Sequence, residues 1–162
     1  FAGLFLSAAL KKMLSFSVFK ATLEAYQIIP GQLLLSTSIL VILFEFTLCG
    51  LWIVEVLRPV AAAGSSILLV VYACAIGLNL MRSRSHISCG CGWREQPLSW
   101  GLVARNTVYV LIVLITLLPQ TARELYWTDF SLGVLTLIVA VLINRCAETL
   151  ISNSSNIASW RQ

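Results

Sequence analysis

Charge is what this sequence has least of. Asp, Glu, Lys and Arg make up 11% of its 162 residues, against about 25% in a soluble domain. So few charges cannot cover a water-facing surface, which excludes an ordinary cytosolic enzyme and a disordered chain. The 11 basic residues outnumber the 7 acidic ones for a net charge of +4. They are scattered between apolar runs and build no basic face, so nucleic acid is not a partner. Cysteine is also scarce: five residues do not frame a disulfide-rich secreted scaffold. No repeat of fixed period occurs. What abounds is apolar, 59% of the residues, with a mean hydropathy of +0.90. That composition belongs to an integral membrane protein partnered by the lipid bilayer. In lipid, backbone polar groups must be satisfied within the segment, so the spans are helices. At about 20 residues per span, the chain is an all-α bundle of four to five transmembrane helices.

Residues 1–10 lack the basic flank and small-residue cleavage site of a signal peptide. They read as the tail of a spanning helix, and with Phe1 in place of Met the natural start is expected to be missing or processed. Residues 15–27 carry Phe16, Phe19, Leu23 and Tyr26 at helical spacing, with Lys20 and Glu24 between them. This pattern predicts a short amphipathic helix lying at the interface. Pro30 and Gly31 break it. Apolar runs then cover residues 32–57, 60–81, 102–118 and 131–151. Residues 1–151 are expected to form one bundle domain, and the Ser/Asn-rich 152–162 a flexible polar tail.

The long polar stretch between spans, 82–99, holds Cys89-Gly90-Cys91. Two thiols separated by one Gly can close a small, strained disulfide. Strained disulfides are the oxidising, catalytic or regulatory ones. Arg84, Arg94 and His86 nearby favour the thiolate. The same residues read as His-x-x-Cys-x-Cys, three soft ligands for zinc or copper(I). A closed zinc site needs a fourth ligand, and we assign no metal. The plain alternative is two unrelated thiols in a loop.

Glu45 sits inside an apolar run, where a carboxylate is costly and marks a functional site by default. Cys49 and Trp52 follow at i+4 and i+7 on the same face. That face suits a quinone-like ring or a proton path. Equally, Glu45 forms a structural ion pair with Lys11, Lys12 or Arg105. Glu55 lies one turn from Arg58 and reads as interfacial. Arg105 and Asn106 open the fourth span, where Arg105 either snorkels to headgroups or points inward. Ala62/Ser66 and Ala73/Gly77 are small-xxx-small pairs expected at helix contacts. Cys74 reads as a packing residue and Cys146 as a resolving thiol at most. Trp93 and Trp100 are expected interface anchors.

In order, these features resemble the MauE branch of the MauE/DoxX membrane proteins over residues 1–118. They are "LFLSAALKKM", "FSVFKATLEAYQIIP", Glu45, the C-G-C-G loop and "ARNTVYV". The C-G-C and R-N spacing is the specific part. The family usually reads C-G-C-F-G, whereas here Gly92 precedes Trp93. The resemblance implies a helical bundle in a bacterial inner membrane. The family's named member serves methylamine utilisation and matures the disulfide-rich small subunit of methylamine dehydrogenase with MauD, a thioredoxin-like partner. By resemblance, Cys89 and Cys91 are the catalytic pair, exchanging disulfides with a MauD-type partner. Glu45, Arg105, Asn106 and Lys12 form a supporting polar site, with a membrane quinone as a candidate electron carrier. The rival readings are a non-catalytic subunit or assembly factor of a larger membrane complex, and a metal-handling membrane protein.

Orientation sets two arguments against each other. Alternating spans put nine Lys and Arg on the face of the Cys89 loop and two on the other, which points that loop to the cytoplasm. Disulfide chemistry for a secreted client requires the oxidising side. The resemblance rests on the thiol pair, so the Cys89 loop is expected on the periplasmic face.

Overall fold

The computed structural model describes residues 1–84, 98–118 and 126–159. These residues build six helices: α1 (Ala2–Leu14), α2 (Phe16–Tyr26), α3 (Leu34–Ile53), α4 (Arg58–Met81), α5 (Trp100–Ile115) and α6 (Trp127–Ser159). Short 3-10 turns, Gly31–Leu33 and Glu55–Leu57, lead into α3 and α4. No strand occurs among the described residues. The chain falls into two units, Phe1–Leu117 and Leu118–Gln162. It is an all-α membrane protein.

Local chemistry sets the helix boundaries. Ser15 leaves helical geometry at φ −118° and ψ 47°, and α2 departs from α1 at 96°. The amphipathic segment therefore lies crosswise to α1. Its inner face is Phe19, Thr22 and Tyr26, with Phe16 and Leu23 half-buried. Gln27 adopts the left-handed conformation at φ 50° and ends α2. Pro59 stands in the first turn of α4, where its missing N–H removes no hydrogen bond. Before it, the Arg58–Glu55 pair at 3.4 Å is exposed and adds little stability.

Among the described residues, three helical stretches are long and apolar enough to cross a membrane: Gly31–Ile53, Glu55–Met81 and Trp127–Ala147. Counting the bent α1–α2 pair as one span makes four. The fourth apolar run of the sequence forms α5, a shorter helix of 16 residues. In the second unit, the apolar part of α6 is Trp127–Ala147. Its helical backbone continues over residues 152–159, where composition predicts a polar tail.

Within the first unit, α1 packs along α3, and α4 lies between α3 and α5. Phe5, Leu48 and Leu68 form one buried cluster, joining α1, α3 and α4. Ala62, Leu69 and Val113 form another between α4 and α5. Lipid tails are as apolar as these side chains, so burial alone does not hold such helices together. Close packing and polar contacts do.

Close packing occurs at a glycine other than the one expected. A Cβ on Gly64 would stand 2.8 Å from Leu48 Cδ2 and 3.6 Å from Phe44 Cζ, whereas a Cβ on Gly77 meets nothing within 4 Å. Ala62 is fully buried, as a contact position should be, but Cys74 is exposed and faces out of the bundle. Overpacking a close contact costs about 1–3 kcal/mol. Gly64→Val is therefore expected to lower the unfolding temperature in detergent micelles, and Gly77→Ala to leave it unchanged or slightly raised.

Candidate functional site

Four helices converge on one ammonium group. Lys12, in the last turn of α1, places Nζ 2.5 Å from Glu45 Oε1 on α3. Tyr72 on α4 donates its hydroxyl to the same oxygen at 2.8 Å. The Lys12 ammonium also lies 5.5 Å from the ring centroid of Phe19 on α2 and 5.2 Å from that of Tyr72. Both charged side chains are shut away, Lys12 at 2% and Glu45 at 1% exposure.

The positions follow from local rules. A lysine near a helix C-terminus is favoured by the helix dipole. The α1–α2 break then folds Phe19 back over that lysine. Each charge alone would cost about 2.5–3.5 kcal/mol at the bilayer centre even on the lenient insertion scale. Paired, they offset one another, and the two rings add cation–π attraction. Of the three cations considered for Glu45, Lys12 is the one paired with it. Arg105 is half-buried in the second turn of α5, and Asn106 beside it is buried.

The site is not fully satisfied. Glu45 Oε2 is buried and accepts no hydrogen bond, and the same holds for Asn79 Oδ1 and, as a donor, Asn106 Nδ2. Such atoms each cost about 1–3 kcal/mol unless something answers them.

One and two helical turns from Glu45, Cys49 and Trp52 point the same way. They pack around Phe5, Leu48 and Leu68 together with Phe1, Leu4 and Tyr72. Trp52 stacks on Phe1 with ring centroids 5.1 Å apart and donates Nε1–H to Ser65 Oγ at 2.9 Å. Side chains of α1 and α4 thus take up the face that the sequence offered to a quinone ring. Cys146 is exposed on α6, in the second unit. Cys89, Cys91, His86, Trp93 and Arg94 lie outside the described residues, as do positions 160–162 of the expected tail.

A family model described as "Methylamine utilisation protein MauE" matches residues 1–119. The chain belongs to the MauE family. The protein named "Methylamine utilization protein MauE" of Paracoccus denitrificans is 31% identical over 153 residues, covering 92% of this chain and 82% of that protein. Its namesake in Paracoccus versutus is 30% identical over 138 residues, covering 83% and 74%. In Methylophilus methylotrophus the namesake is 32% identical over 104 residues, covering 61% and 55%. No solved structure matches the chain. The stretch matched by the MauE model includes Lys12, Phe19, Glu45 and Tyr72, and stops before α6.

Sequence reasoning found Glu45 and Lys12 but missed Tyr72. The missed signal is register. Glu45 and Trp52 are seven residues apart, and so are their partners on α4, Tyr72 and Ser65.

Removing one member of a buried ion pair typically costs about 3–5 kcal/mol, because the other charge is stranded. Glu45→Gln and Lys12→Met are each expected to destabilise the bundle on that scale. The double variant should cost less than the sum of the two. Reversible unfolding in mixed micelles measures the cycle. Tyr72→Phe should cost about 1.5–3 kcal/mol, the range for a hydrogen bond to a charged group.

Proposed function

We propose that this MauE-family protein serves methylamine utilisation as a membrane thiol–disulfide exchange protein. Its working groups are Cys89 and Cys91, and its partner is a thioredoxin-like protein of the MauD type. The observation that carries the reading is the Cys-Gly-Cys sequence itself, set in the polar stretch between α4 and α5 and flanked by Arg84 and Arg94. The relatives' names point to the same pathway.

The exchange is balanced without a further reagent. A thiolate of one dithiol attacks one sulfur of the opposing disulfide. An S–S bond forms between the two proteins as the old one breaks, and the departing thiolate takes a proton. The second thiolate of the attacking dithiol then attacks its neighbour's sulfur, closes its own S–S bond and expels the opposing protein's sulfur as a thiolate, which takes a proton. One protein is oxidised by two electrons and the other is reduced by two. Arg84 and Arg94 raise the thiolate fraction on which the rate depends. The client downstream is a disulfide-containing protein such as a methylamine dehydrogenase subunit.

The proposal places the protein in a bacterial inner membrane as one bundle, with the Cys89 loop on the periplasmic side. Thiols are not held reduced there. The Lys12–Glu45 pair acts as scaffold for this chemistry, holding the helices from which the thiol loop springs.

Two measurements test the reading. Cys89→Ser or Cys91→Ser alone should trap or abolish a mixed disulfide with the thioredoxin-like partner, read as a reductant-sensitive band and confirmed by mass spectrometry. The double Ser variant should abolish client maturation, and equal maturation by double variant and wild type ends the redox reading. A membrane-impermeant maleimide should label Cys89 in intact cells. Labelling only after the membrane is opened puts the loop in the cytoplasm.

A further inference from the structure

The α3–α4 interface is built in polar rungs seven residues apart. Trp52 pairs with Ser65 and Glu45 with Tyr72. The two helices run antiparallel, so stepping seven residues back on α3 and forward on α4 gives the next level: Ser38 and Asn79. Both are fully buried, at 0% exposure. Seven residues are two turns, or about 10.5 Å along each helix. The heptad drifts by only about 20° on a straight helix, so the three rungs follow one seam.

The rungs differ in how well they are satisfied. On the first, the Trp52 indole N–H meets Ser65 Oγ, and the Phe1 ring stacks over the indole. Beside it lies the apolar cluster of Phe5, Leu48 and Leu68. This end of the seam is closed by aromatic and aliphatic side chains, with one buried hydroxyl without a partner, Ser66 Oγ, beside Ser65. On the second rung, Glu45 Oε2 has no partner. On the third, the Ser38 hydroxyl donates to Leu34 O at 2.7 Å and the Asn79 amide donates to Ala75 O at 2.9 Å. Asn79 Oδ1 is left as a buried acceptor without a donor.

Ser99, which caps α5, and Asn106 within it add the buried unpartnered atoms Ser99 Oγ and Asn106 Nδ2. Val113 packs against Ala62 and Leu69, so α5 runs antiparallel to α4. Ser99 and Asn106 therefore lie toward the C-terminal half of α4, the half that holds Tyr72 and Asn79. On this half the acceptors without a partner are Glu45 Oε2 and Asn79 Oδ1, and the donors are Ser99 Oγ–H, Asn106 Nδ2 and the Nε–H of Arg105, a side chain that has other contacts. A buried water donates and accepts and typically makes about three hydrogen bonds to such groups.

We propose that water enters the bundle at the C-terminal end of α4, fills the Asn79 rung and reaches Glu45. The opposite end stays dry behind Trp52, Phe1 and the Phe5 cluster. The Lys12–Glu45 pair is thus in contact with the aqueous phase on one side of the membrane only, the side of the 82–99 connection. The inference does not depend on the thiol reading.

X-ray hydroxyl-radical footprinting of the full-length protein in lipid nanodiscs, in 18O-labelled water, tests this. Radicals born from trapped water oxidise the aromatic side chain beside it, here Tyr72. Tyr72 is expected to take up label although it lies in mid-bundle, and exposed Tyr126 serves as internal reference. Asn79→Leu should cut Tyr72 labelling several-fold relative to Tyr126. Asn79→Ser, which keeps a polar group, should retain it. Ser65→Val, at the dry end, should leave it unchanged. An unlabelled Tyr72 in the wild type overturns the proposal without recourse to any variant. Equal loss of label in Asn79→Leu and Ser65→Val overturns the one-sided entry.

Discussion

The first unit of this protein is organised around one buried ion pair. Lys12 and Glu45 are 33 residues apart in sequence and meet where lipid offers neither charge any solvation. In water, apolar surface alone would press these helices together. In a bilayer it does not, so something else must choose which helices touch and in what register. The pair makes that choice. Glu45 fixes α3 against α1 through Lys12 and against α4 through Tyr72, while Phe19 brings α2 over the same ammonium. A slip of one residue in α1 or α3 would strand a charge, and one in α4 would take away the Tyr72 hydroxyl.

That dependence explains which parts of the structure could be read from the sequence. Glu45 was legible because a carboxylate in an apolar run has no cheap alternative to an interior partner. Lys12 was legible only as one of three cations, since sequence alone does not say where α1 turns aside. Tyr72 was not legible: a tyrosine in a hydrophobic span looks like any other large side chain until a facing acceptor is known. Phe19 was read as part of an apolar stripe, and its role as a cap over Lys12 comes from the break at Ser15. Small residues misled in the same way. Ala73-x-x-x-Gly77 has the spacing of a contact, yet a Cβ on Gly77 would meet open space, and the close approach falls at Gly64. Spacing names a face; only packing says which way that face turns.

The fold also sets how the thiol-bearing connection is held. Leu98 and Leu102 are buried at 3% and 0%, so the chain is fixed to the bundle from Leu98 onward. On the other side, Ser83 turns at φ 60°, directly after α4. Residues 85–97, with Cys89 and Cys91 among them, are thus tethered at both ends to α4 and α5, helices that pack closely on one another. The MauE match runs to residue 119, so it spans the ion pair, both tethers and the thiols, and leaves out α6.

The shortness of α5 has a consequence for the membrane itself. Sixteen residues make a helix of about 24 Å, whereas the hydrocarbon layer is about 30 Å thick. Its neighbour α4, at 24 residues, spans that layer in full. Where a helix of that length crosses the layer, the lipids beside it shorten or splay to meet it, a local thinning that costs a fraction of a kcal/mol per Å. Trp100, exposed at the start of α5, is the kind of side chain that settles at headgroup level. A short span beginning at such a residue draws the headgroups of its leaflet inward beside Trp100.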